Sequence, residues 1–376
     1  MSLSATTLRV ALACALATTP ALACHRVTAS SAPDGAPARV DDGWALGSLE
    51  TAAIDRDAMV ALTRQLETRR DHRIDALVIA RGGELVYEGY FRGTSRDTLH
   101  DLRSATKSIT SLLAGVAFTR GELSLATPVW SALGRTLPAA DPRARVTVES
   151  LLTMGSGLEC DDRDRRSPGN EERMYRRRDW LRFFLALPSA RPPGARGVYC
   201  TAGVVALGAV LERSTRTPVP EYARRHLFEP LEIRDASWAS YDRGRGTDTG
   251  GHLRLRARDL AKFGQLILSA GEWRGARVVA RAWIEQATRA HARVDGADYG
   301  YLWWLNELPV RAADGPTRYR VVYAAGNGGQ FVFVLPELEL VVATTGRAYN
   351  SPRAAAPLEI LRHVIAPAVT PRARGS

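Results

Sequence analysis

A serine and a lysine three residues apart are the two side chains of this sequence best suited to do chemistry together. They stand in the segment Arg103-Ser104-Ala105-Thr106-Lys107. If Ser104 opens a helix, positions i and i+3 share one face. The lysine amine then lies beside the serine hydroxyl and can take its proton during nucleophilic attack. Serine is also a common helix cap, which is the alternative interpretation of the same residues.

Lysine is rare in this chain, and its position is informative for that reason. Of the 51 basic residues, only Lys107 and Lys262 are lysines. A guanidinium cannot lose its proton in a protein, whereas a partly buried ammonium can, so Lys107 stands where an arginine could not accept a proton. Lys262 is the comparison: it lies in a predicted amphipathic helix, and we expect it on the solvated face.

The elements that must position this pair are predicted from the spacing of apolar residues. After Ser104, Ile109, Leu112, Leu113 and Val116 recur at i, i+3, i+4 and i+7, which predicts a helix. Strands are predicted at 74–80, 84–91, 331–335 and 338–345, and mainly helical segments between about 146 and 294. Strands at both ends with a helical middle predict one sheet built from both ends of the chain, an inserted helical lobe, and a cleft between them.

The N-terminus predicts export. An apolar stretch from Val10 to Ala17 and the small residues before Cys24 are typical of a signal peptide. Cys24 also resembles the cysteine of a lipoprotein cleavage box, so lipid attachment there and simple secretion both remain open. The predicted organisation is a signal peptide at 1–23, a flexible linker at 24–45 and a folded domain at 46–376. We therefore expect a secreted or periplasmic protein, either free or lipid-anchored.

Two cysteines remain in the predicted domain, Cys160 and Cys200. In an oxidising compartment we interpret them as a disulfide. It would close a loop of about 40 residues and contribute about 4 kcal/mol through loop entropy. A catalytic thiol at Cys200 is the alternative, but no histidine lies near it in the sequence.

Composition argues against several other functions. The net charge is +11, but the arginines are scattered among acidic residues, which is typical of a solvated surface rather than of a nucleic-acid-binding face. The sequence has no Gly-x-Ser-x-Gly elbow, no phosphate-binding Gly-x-x-x-x-Gly-Lys loop and no His-Glu-x-x-His zinc helix. We predict no cofactor and no metal, and the sequence indicates no oligomeric state.

Several segments in one order resemble the serine beta-lactamase-like hydrolases, which include class C beta-lactamases, D-alanyl-D-alanine peptidases and related esterases and amide hydrolases. The resemblance spans about 74–362. It is carried by Ser104 to Lys107, Leu151 to Leu158, Tyr199-Cys200-Thr201 with Gly203 to Gly208, Leu227 to Leu231, Ala257 to Phe263 and Tyr299 to Trp304. It implies an α/β fold of the α+β type, with an antiparallel sheet flanked by helices and an all-helical lobe.

The resemblance also implies roles for individual residues. Ser104 would be the acylated nucleophile, Lys107 would hold or accept its proton, and Tyr199 would match the tyrosine of the family's Tyr-x-Asn motif and shuttle a proton. The alternative for Tyr199 is an ordinary core ring. The backbone amides of Ser104 and Asn327 would form the oxyanion hole. Gly326, Thr201, Asn327 and Gln330 are then the predicted substrate-binding residues.

The sequence departs from the family's pattern at two positions. Thr201 stands where the family has asparagine, which removes an amide that could both donate and accept. The family's Lys-Thr-Gly or His-x-Gly motif aligns with Ala324-Ala325-Gly326, which has neither a cation nor a hydroxyl. The missing cation argues against a substrate anchored by its carboxylate.

We therefore predict an exported serine hydrolase that cleaves a small-molecule ester or amide through an acyl-enzyme. Two alternatives stay open. One is beta-lactam or D-alanyl-D-alanine peptide chemistry, and the other is a catalytically silent binding protein with the same fold.

Overall fold

The structure is a computed structural model that describes residues 34–69, 71–312 and 315–371. Its strands, in chain order, are β1 Ala45–Leu46, β2 Ile74–Arg81, β3 Glu84–Tyr90, β4 His100–Asp101, β5 Ser240–Tyr241, β6 Gly246–Thr247, β7 Arg254–Leu255, β8 Glu272–Trp273, β9 Ala276–Arg277, β10 Ala292–Val294, β11 Ala297–Tyr299, β12 Trp304–Ala312, β13 Gly315–Gly326, β14 Gln330–Leu335 and β15 Leu340–Gly346. Nine of them form one sheet in the order β1-β3-β2-β15-β14-β13-β12-β11-β10. The remaining six form three short two-stranded pairs.

This sheet confirms the prediction that both ends of the chain build one sheet. Strands β1 to β3 come from the N-terminal part and β10 to β15 from the C-terminal part, and they meet where β2 pairs antiparallel with β15. Every pairing in the sheet is antiparallel except that of β1 with β3. The β2–β3 hairpin turns at Gly82 and Gly83, whose φ values of 59° and 88° are those a two-residue hairpin turn requires.

Helices cover both faces of the sheet. They are α1 Arg56–Thr68, α2 Thr106–Thr119, α3 Val129–Ala132, α4 Val148–Leu152, α5 Glu171–Tyr175, α6 Trp180–Leu185, α7 Thr201–Thr215, α8 Val219–Ala223, α9 Ala257–Leu268, α10 Arg281–Ala287, α11 Ala356–Ile360 and α12 Ala366–Ala368. Side chains of β2 alternate between two apolar clusters, as the period of a strand requires. Ala76 and Val78 face the cluster that contains α2, α7 and α9, whereas Leu77 and Ile79 face the cluster that contains α1 and the C-terminal helices.

The predicted helical lobe at 146–294 contains α4 to α10 together with β5 to β9, and β10 ends at its last residue. Helix α9 belongs to this segment but packs against β14, β15 and β2. Its Gly264 lies so close to the sheet that a Cβ there would be 2.6 Å from Val332 Cγ1. The inserted segment therefore covers part of the sheet, in addition to forming the helical region beside it.

The predicted linker at 24–45 is too long at its C-terminal end. Trp44 is buried, and the guanidinium of Arg258 binds Asp42, with Nε 2.7 Å from Oδ2, and Glu88, with Nη1 2.9 Å from Oε2. These contacts attach the described part of the linker to the domain. The predicted signal peptide, Cys24 and the first part of the linker lie outside the described residues.

Lys262 is not on a solvated face, so that prediction is wrong. Its side chain is fully buried in α9, where Nζ lies 2.9 Å from Asp259 Oδ1 and donates to the Glu232 carbonyl at 3.2 Å. A partner one turn away in the helix satisfies the buried charge. Both lysines of the chain are thus interior residues. Within the described ranges, no helix is both long and apolar enough to cross a bilayer.

Candidate active site

Ser104 lies at the junction between the sheet and helix α2. It is the middle residue of a single 3₁₀ turn, Arg103–Ala105, that leads directly into α2. The turn begins with strained backbone, since Arg103 has φ 50°, and the Arg103 amide donates to Asp101 Oδ1 at 2.9 Å. The predicted i, i+3 relation to Lys107 is kept, although the first residues form a tighter turn than the predicted α-helix.

The Lys107 amine is directed at the Ser104 hydroxyl. Lys107 is 1% exposed, and its Nζ donates to Ser104 Oγ at 3.1 Å and to the Gly250 carbonyl at 2.6 Å. Ser104 is half-buried, so its hydroxyl lies at the border between this interior amine and the surface. The structure therefore brings the two predicted residues into direct contact.

The charge state of Lys107 differs from the sequence-based expectation of a readily neutralised amine. Burial alone would lower the pKa of the amine, but the neighbouring acidic groups, Tyr199 first and then Glu171, Asp162 and Asp248, raise the pKa of Lys107 above its ordinary value. These surroundings favour the ammonium form of Lys107, which donates to Ser104 Oγ.

Tyr199 lies beside this pair. Its ring is buried and stacks on Trp304, with centroids 5.7 Å apart, and Lys107 Nζ lies 5.0 Å from the Tyr199 centroid. The guanidinium carbon of Arg163 lies 5.1 Å from the same centroid. The ring is thus a packed core residue and also the neighbour of two cations, so the two interpretations of Tyr199 hold together.

A disulfide fixes the chain on the C-terminal side of Tyr199. Cys160 and Cys200, the predicted pair, are bonded, and Cys200 is the N-cap of α7, where its Sγ accepts from the Gly203 amide at 3.3 Å. Tyr199 is also held through its carbonyl, which accepts from the Asp162 amide at 2.9 Å. The loop that begins at Cys160 is therefore fastened to the Tyr199–Cys200 segment, by a covalent bond to Cys200 and a hydrogen bond to Tyr199.

Thr201 does not face the substrate side, in contrast to its predicted role. It is fully buried, and its hydroxyl lies 2.7 Å from Asp162 Oδ2 and 3.0 Å from Glu171 Oε2. Its amide also donates to Asp162 Oδ2 at 2.7 Å. Burial, and next the charge of Glu171, raises the pKa of Asp162 to about 6. Threonine therefore joins two carboxyl groups behind the site instead of presenting a polar group to substrate.

Gly326 and its neighbours form the opposite wall of the site. A Cβ on Gly326 would clash with the Leu102 carbonyl and lie 3.1 Å from the Ala105 amide nitrogen, so β13 can approach the Ser104 turn only because residue 326 is glycine. Asn327 is exposed, and its Nδ2 donates to Asn350 Oδ1 at 2.7 Å.

Gln330 is not a lining residue, although it was predicted to bind substrate. It is fully buried, its Nε2 donates to the Gly346 carbonyl at 2.6 Å and its Oε1 accepts from the Gly346 amide at 3.1 Å. The amide group is therefore used to join β14 to the end of β15. Among the predicted substrate-binding residues, Asn327 and Gly326 stay at the site, whereas Thr201 and Gln330 lie behind it.

Sequence analysis missed the residues that surround Lys107. They are Asp162, Glu171, Asp248 and Gly250, which come from three separate segments. His252, which pairs with Asp248, was missed as well. None of these segments has a spacing that predicts contact with the Ser104 helix. Within the described residues, no group of histidine, cysteine or acidic side chains is arranged to hold a metal ion.

Comparison with known proteins places this arrangement in a family. The model of the Beta-lactamase family matches residues 59–364. The chain belongs to this family. This agrees with the resemblance found in the sequence and with the large sheet flanked by helices.

Two curated relatives are named as hydrolases. The chain is 28% identical over 258 residues to the 6-aminohexanoate-dimer hydrolase of Paenarthrobacter ureafaciens, covering 65% of each chain. It is 32% identical over 223 residues to the esterase EstB of Burkholderia gladioli, covering 51% of this chain and 55% of EstB. The matched part of the chain thus spans less than two thirds of the length of either relative.

Solved structures show the same fold. The D-stereospecific amidohydrolase from Streptomyces sp. superposes with a TM-score of 0.60 at 17% sequence identity, covering 80% of this chain and 97% of that one. At this identity the likeness concerns the fold alone.

Proposed function

We propose that this chain is a serine hydrolase that cleaves ester or amide bonds of small molecules through an acyl-enzyme on Ser104. The observation that carries the proposal is the 3.1 Å contact between Lys107 Nζ and Ser104 Oγ, made by a fully buried amine beside Tyr199. Packing alone does not require a buried lysine to donate to a serine hydroxyl at the surface. Nucleophilic catalysis does, because the hydroxyl must be activated by a neighbouring group.

The proton transfers that the reaction requires assign roles to Lys107 and Tyr199. In acylation, Ser104 Oγ bonds to the carbonyl carbon, its proton goes to the Lys107–Tyr199 pair, and the pair returns a proton to the departing alcohol or amine. To accept that first proton, the pair must be one proton short of full protonation. Within the pair, Lys107, whose pKa is raised by the neighbouring acidic groups, holds Ser104 Oγ through its hydrogen bond, and Tyr199 lies beside it to share the proton. In deacylation, water gives a proton to the pair and its oxygen attacks the acyl carbon. The pair then returns that proton to Ser104 Oγ as the acyl carbon–Oγ bond breaks, which releases a carboxylic acid and restores both Ser104 and the pair.

The oxyanion of each tetrahedral intermediate needs donors on the far side of the carbonyl. We assign this role to the backbone amides of Ser104 and Asn327. The close approach of Gly326 to the Ser104 turn supports this assignment, because it brings the end of β13 next to the nucleophile. Loss of one such donor costs about a hundredfold in rate or more.

The proposed substrates are esters and neutral amides. The Ala324-Ala325-Gly326 segment ends β13 beside the Ser104 turn and has no cation to receive a substrate carboxylate. The two curated relatives are named as an esterase and as a hydrolase of the 6-aminohexanoate dimer, in line with this choice. Beta-lactam or D-alanyl-D-alanine peptide hydrolysis is the second candidate within enzymes, since the family includes such proteins.

We further propose that the protein is exported. The support is the predicted signal peptide at 1–23 and the Cys160–Cys200 disulfide, which persists in oxidising compartments. Mass spectrometry of the mature N-terminus from a bacterial expression host tests this. A diacylglyceryl group on Cys24 would indicate a lipid-anchored protein, a free Cys24 simple secretion, and an uncleaved N-terminus would contradict export.

One experiment separates the functional candidates. The purified protein is treated with a fluorophosphonate, the adduct is located by mass spectrometry, and turnover of a short 4-nitrophenyl ester, a chromogenic cephalosporin and a D-alanyl-D-alanine peptide is compared. The Ser104→Ala variant is the control. Labelling of Ser104 with ester turnover supports the proposal, efficient cephalosporin or peptide turnover supports the second candidate, and absence of any adduct would indicate a silent binding protein.

A further inference from the structure

A histidine outside the proposed catalytic set connects the nucleophile turn to a buried carboxylate. His252 Nε2 lies 2.8 Å from Arg103 Nη1, and its Nδ1 lies 2.8 Å from Asp248 Oδ2. Asp248 is fully buried and the imidazole is about a quarter exposed, at 26%. Arg103 is the residue directly before Ser104, so the imidazole links the nucleophile turn to the 248–252 loop.

The same loop supplies the second acceptor of Lys107. Asp248 Oδ1 accepts from the Gly250 amide at 3.1 Å, and the Gly250 carbonyl accepts from Lys107 Nζ at 2.6 Å. Lys107 in turn donates to Ser104 Oγ at 3.1 Å. The hydrogen bonds therefore run from the residue before the nucleophile, through His252, and return to the nucleophile. We call this closed series of hydrogen bonds the circuit. Its members are Arg103, His252, Asp248, Gly250, Lys107 and Ser104.

The chemistry of the partners determines the tautomer of His252. A guanidinium has no acceptor, so Arg103 donates and His252 Nε2 must carry no hydrogen. The hydrogen of the neutral imidazole is then on Nδ1, where it is donated to the Asp248 carboxylate. A proton added at Nε2 would direct an N–H at the guanidinium and remove this bond.

Backbone strain at both ends of the histidine contact indicates that the circuit is held in place. His252 has φ 59° and Arg103 has φ 50°, values in the left-handed region that ordinary residues avoid. Such conformations persist where surrounding contacts over-determine them. The ring of Tyr175 packs edge-on against His252 at 5.7 Å, and Arg103 also pairs with Asp101, with Nε 3.2 Å from Oδ2.

We propose that His252 is a positioning residue: as the neutral Nδ1–H imidazole it holds Arg103 and Asp248 so that the Gly250 carbonyl keeps Lys107 Nζ against Ser104 Oγ. This inference rests on the proposed function, because it concerns the geometry of the same nucleophile. The charged and titratable groups that face the imidazole are Asp248 on one side, Arg103 on the other and Tyr175 at the edge. A proton on Nε2 would open the circuit at Arg103 and release the nucleophile turn.

His363 supplies a matched control. It also follows its carboxylate partner by four residues, with Nε2 3.2 Å from Glu359 Oε2, but it lies in the C-terminal helical region and its side chain is 66% exposed. We compare His252→Gln and His363→Gln in the turnover of a neutral 4-nitrophenyl ester across pH. His252→Gln should lower kcat at least about tenfold, with little change in KM, because the misplaced amine affects the reacting atoms more than substrate binding.

The pH profile separates positioning from a general structural role. Protonation of the Lys107–Tyr199 pair lowers kcat in every variant on acidification, but the wild type and His363→Gln should show a further decline from opening of the circuit. His252→Gln should lack this further decline, so its kcat relative to the wild type should rise as the pH falls. In Arg103→Met, where no guanidinium opposes a proton on Nε2, the decline should also be weaker. A His252→Gln profile that matches the wild type in kcat and in shape would overturn the inference.

A second measurement does not depend on activity. In protein labelled with ¹⁵N-histidine, NMR distinguishes a hydrogen on Nδ1 from one on Nε2, and the His252 signals are those absent from His252→Gln. We expect the Nδ1–H tautomer in the wild type and in Ser104→Ala. An Nε2–H tautomer would overturn the inference even if the enzyme is active. Absence of turnover with the expected tautomer would instead overturn the proposed function.

Discussion

Replacement of Gly326 by alanine tests whether the end of β13 must touch the nucleophile turn. An added Cβ would clash with the Leu102 carbonyl, and it would lie 3.0 Å from Gln330 Cβ and 3.1 Å from the Ala105 amide nitrogen. Two of these three atoms belong to the backbone around Ser104. The third belongs to Gln330, whose side-chain amide is fixed by hydrogen bonds to both the carbonyl and the amide of Gly346. No flexible group can give way, so either the strand or the turn has to move.

The required displacement sets the size of the effect. Relief of the clash needs a shift of about 1 Å, and a misplacement of that size at an active site costs about a hundredfold in rate. We therefore expect kcat/KM of Gly326→Ala to fall about a hundredfold. The overpacked contact should also cost about 1–3 kcal/mol in the free energy of unfolding.

The assay is kcat/KM for a short 4-nitrophenyl ester, with urea unfolding of the same preparations. Gly203→Ala is the control, because a Cβ on Gly203 in α7 would meet nothing closer than 3.6 Å. The control should keep wild-type activity. If Gly326→Ala also keeps wild-type kcat/KM, β13 does not contribute to the site in the proposed way, and the assignment of the Asn327 amide to the oxyanion hole fails.

Three further predictions concern Lys107, the disulfide and Asp162. Lys107→Arg should lower kcat of ester hydrolysis by about 10²–10⁴, because a guanidinium cannot give up a proton; turnover within a fewfold of the wild type would contradict the role of the amine. In a titration with a reductant, opening of the Cys160–Cys200 bond should abolish ester turnover before circular dichroism shows unfolding, because the bond holds the segment next to Tyr199; coincident curves would contradict this. The pKa of Asp162 is raised from 3.8 to about 6, so the folded state holds the proton more tightly than the unfolded state. Its contribution to stability is therefore present below about pH 4 and is lost as pH rises to about 6, and urea unfolding should show this loss in the wild type and not in Asp162→Asn, whereas parallel curves would refute it.

The sequence was most informative where both residues of a predicted contact lie in one helix or turn. Ser104 and Lys107 lie one turn apart on a continuous chain segment, so their contact follows from helical periodicity. The strands at both ends were predicted by local apolar patterns, and their positions on either side of a helical middle predicted one sheet. Thr201 and Gln330 were predicted to bind substrate because of their places in motifs, but a motif position does not indicate which way a side chain points.

Lys262 shows the limit of a local helical pattern as evidence for burial. Its helical pattern predicted a solvated face, yet α9 lies between the sheet and the Trp273 side chain, and Asp259 neutralises the charge there. Burial depends on which elements cover a helix, and that information is spread over the whole chain. The same reason explains why no pattern in the sequence indicated His252.

By itself the sequence determined the contact between Ser104 and Lys107, the cysteines available for a disulfide and the division of the chain into strand-rich ends with a helical middle. These features depend on residue types and short-range spacing. Only the tertiary structure decided that Tyr199 and three carboxyl groups surround Lys107 and raise its pKa, that the Thr201 and Gln330 side chains are buried, and that His252 lies between Arg103 and Asp248. These features depend on contacts between residues up to about 150 positions apart in the chain. Such contacts are set by how the sheet and the inserted helices pack.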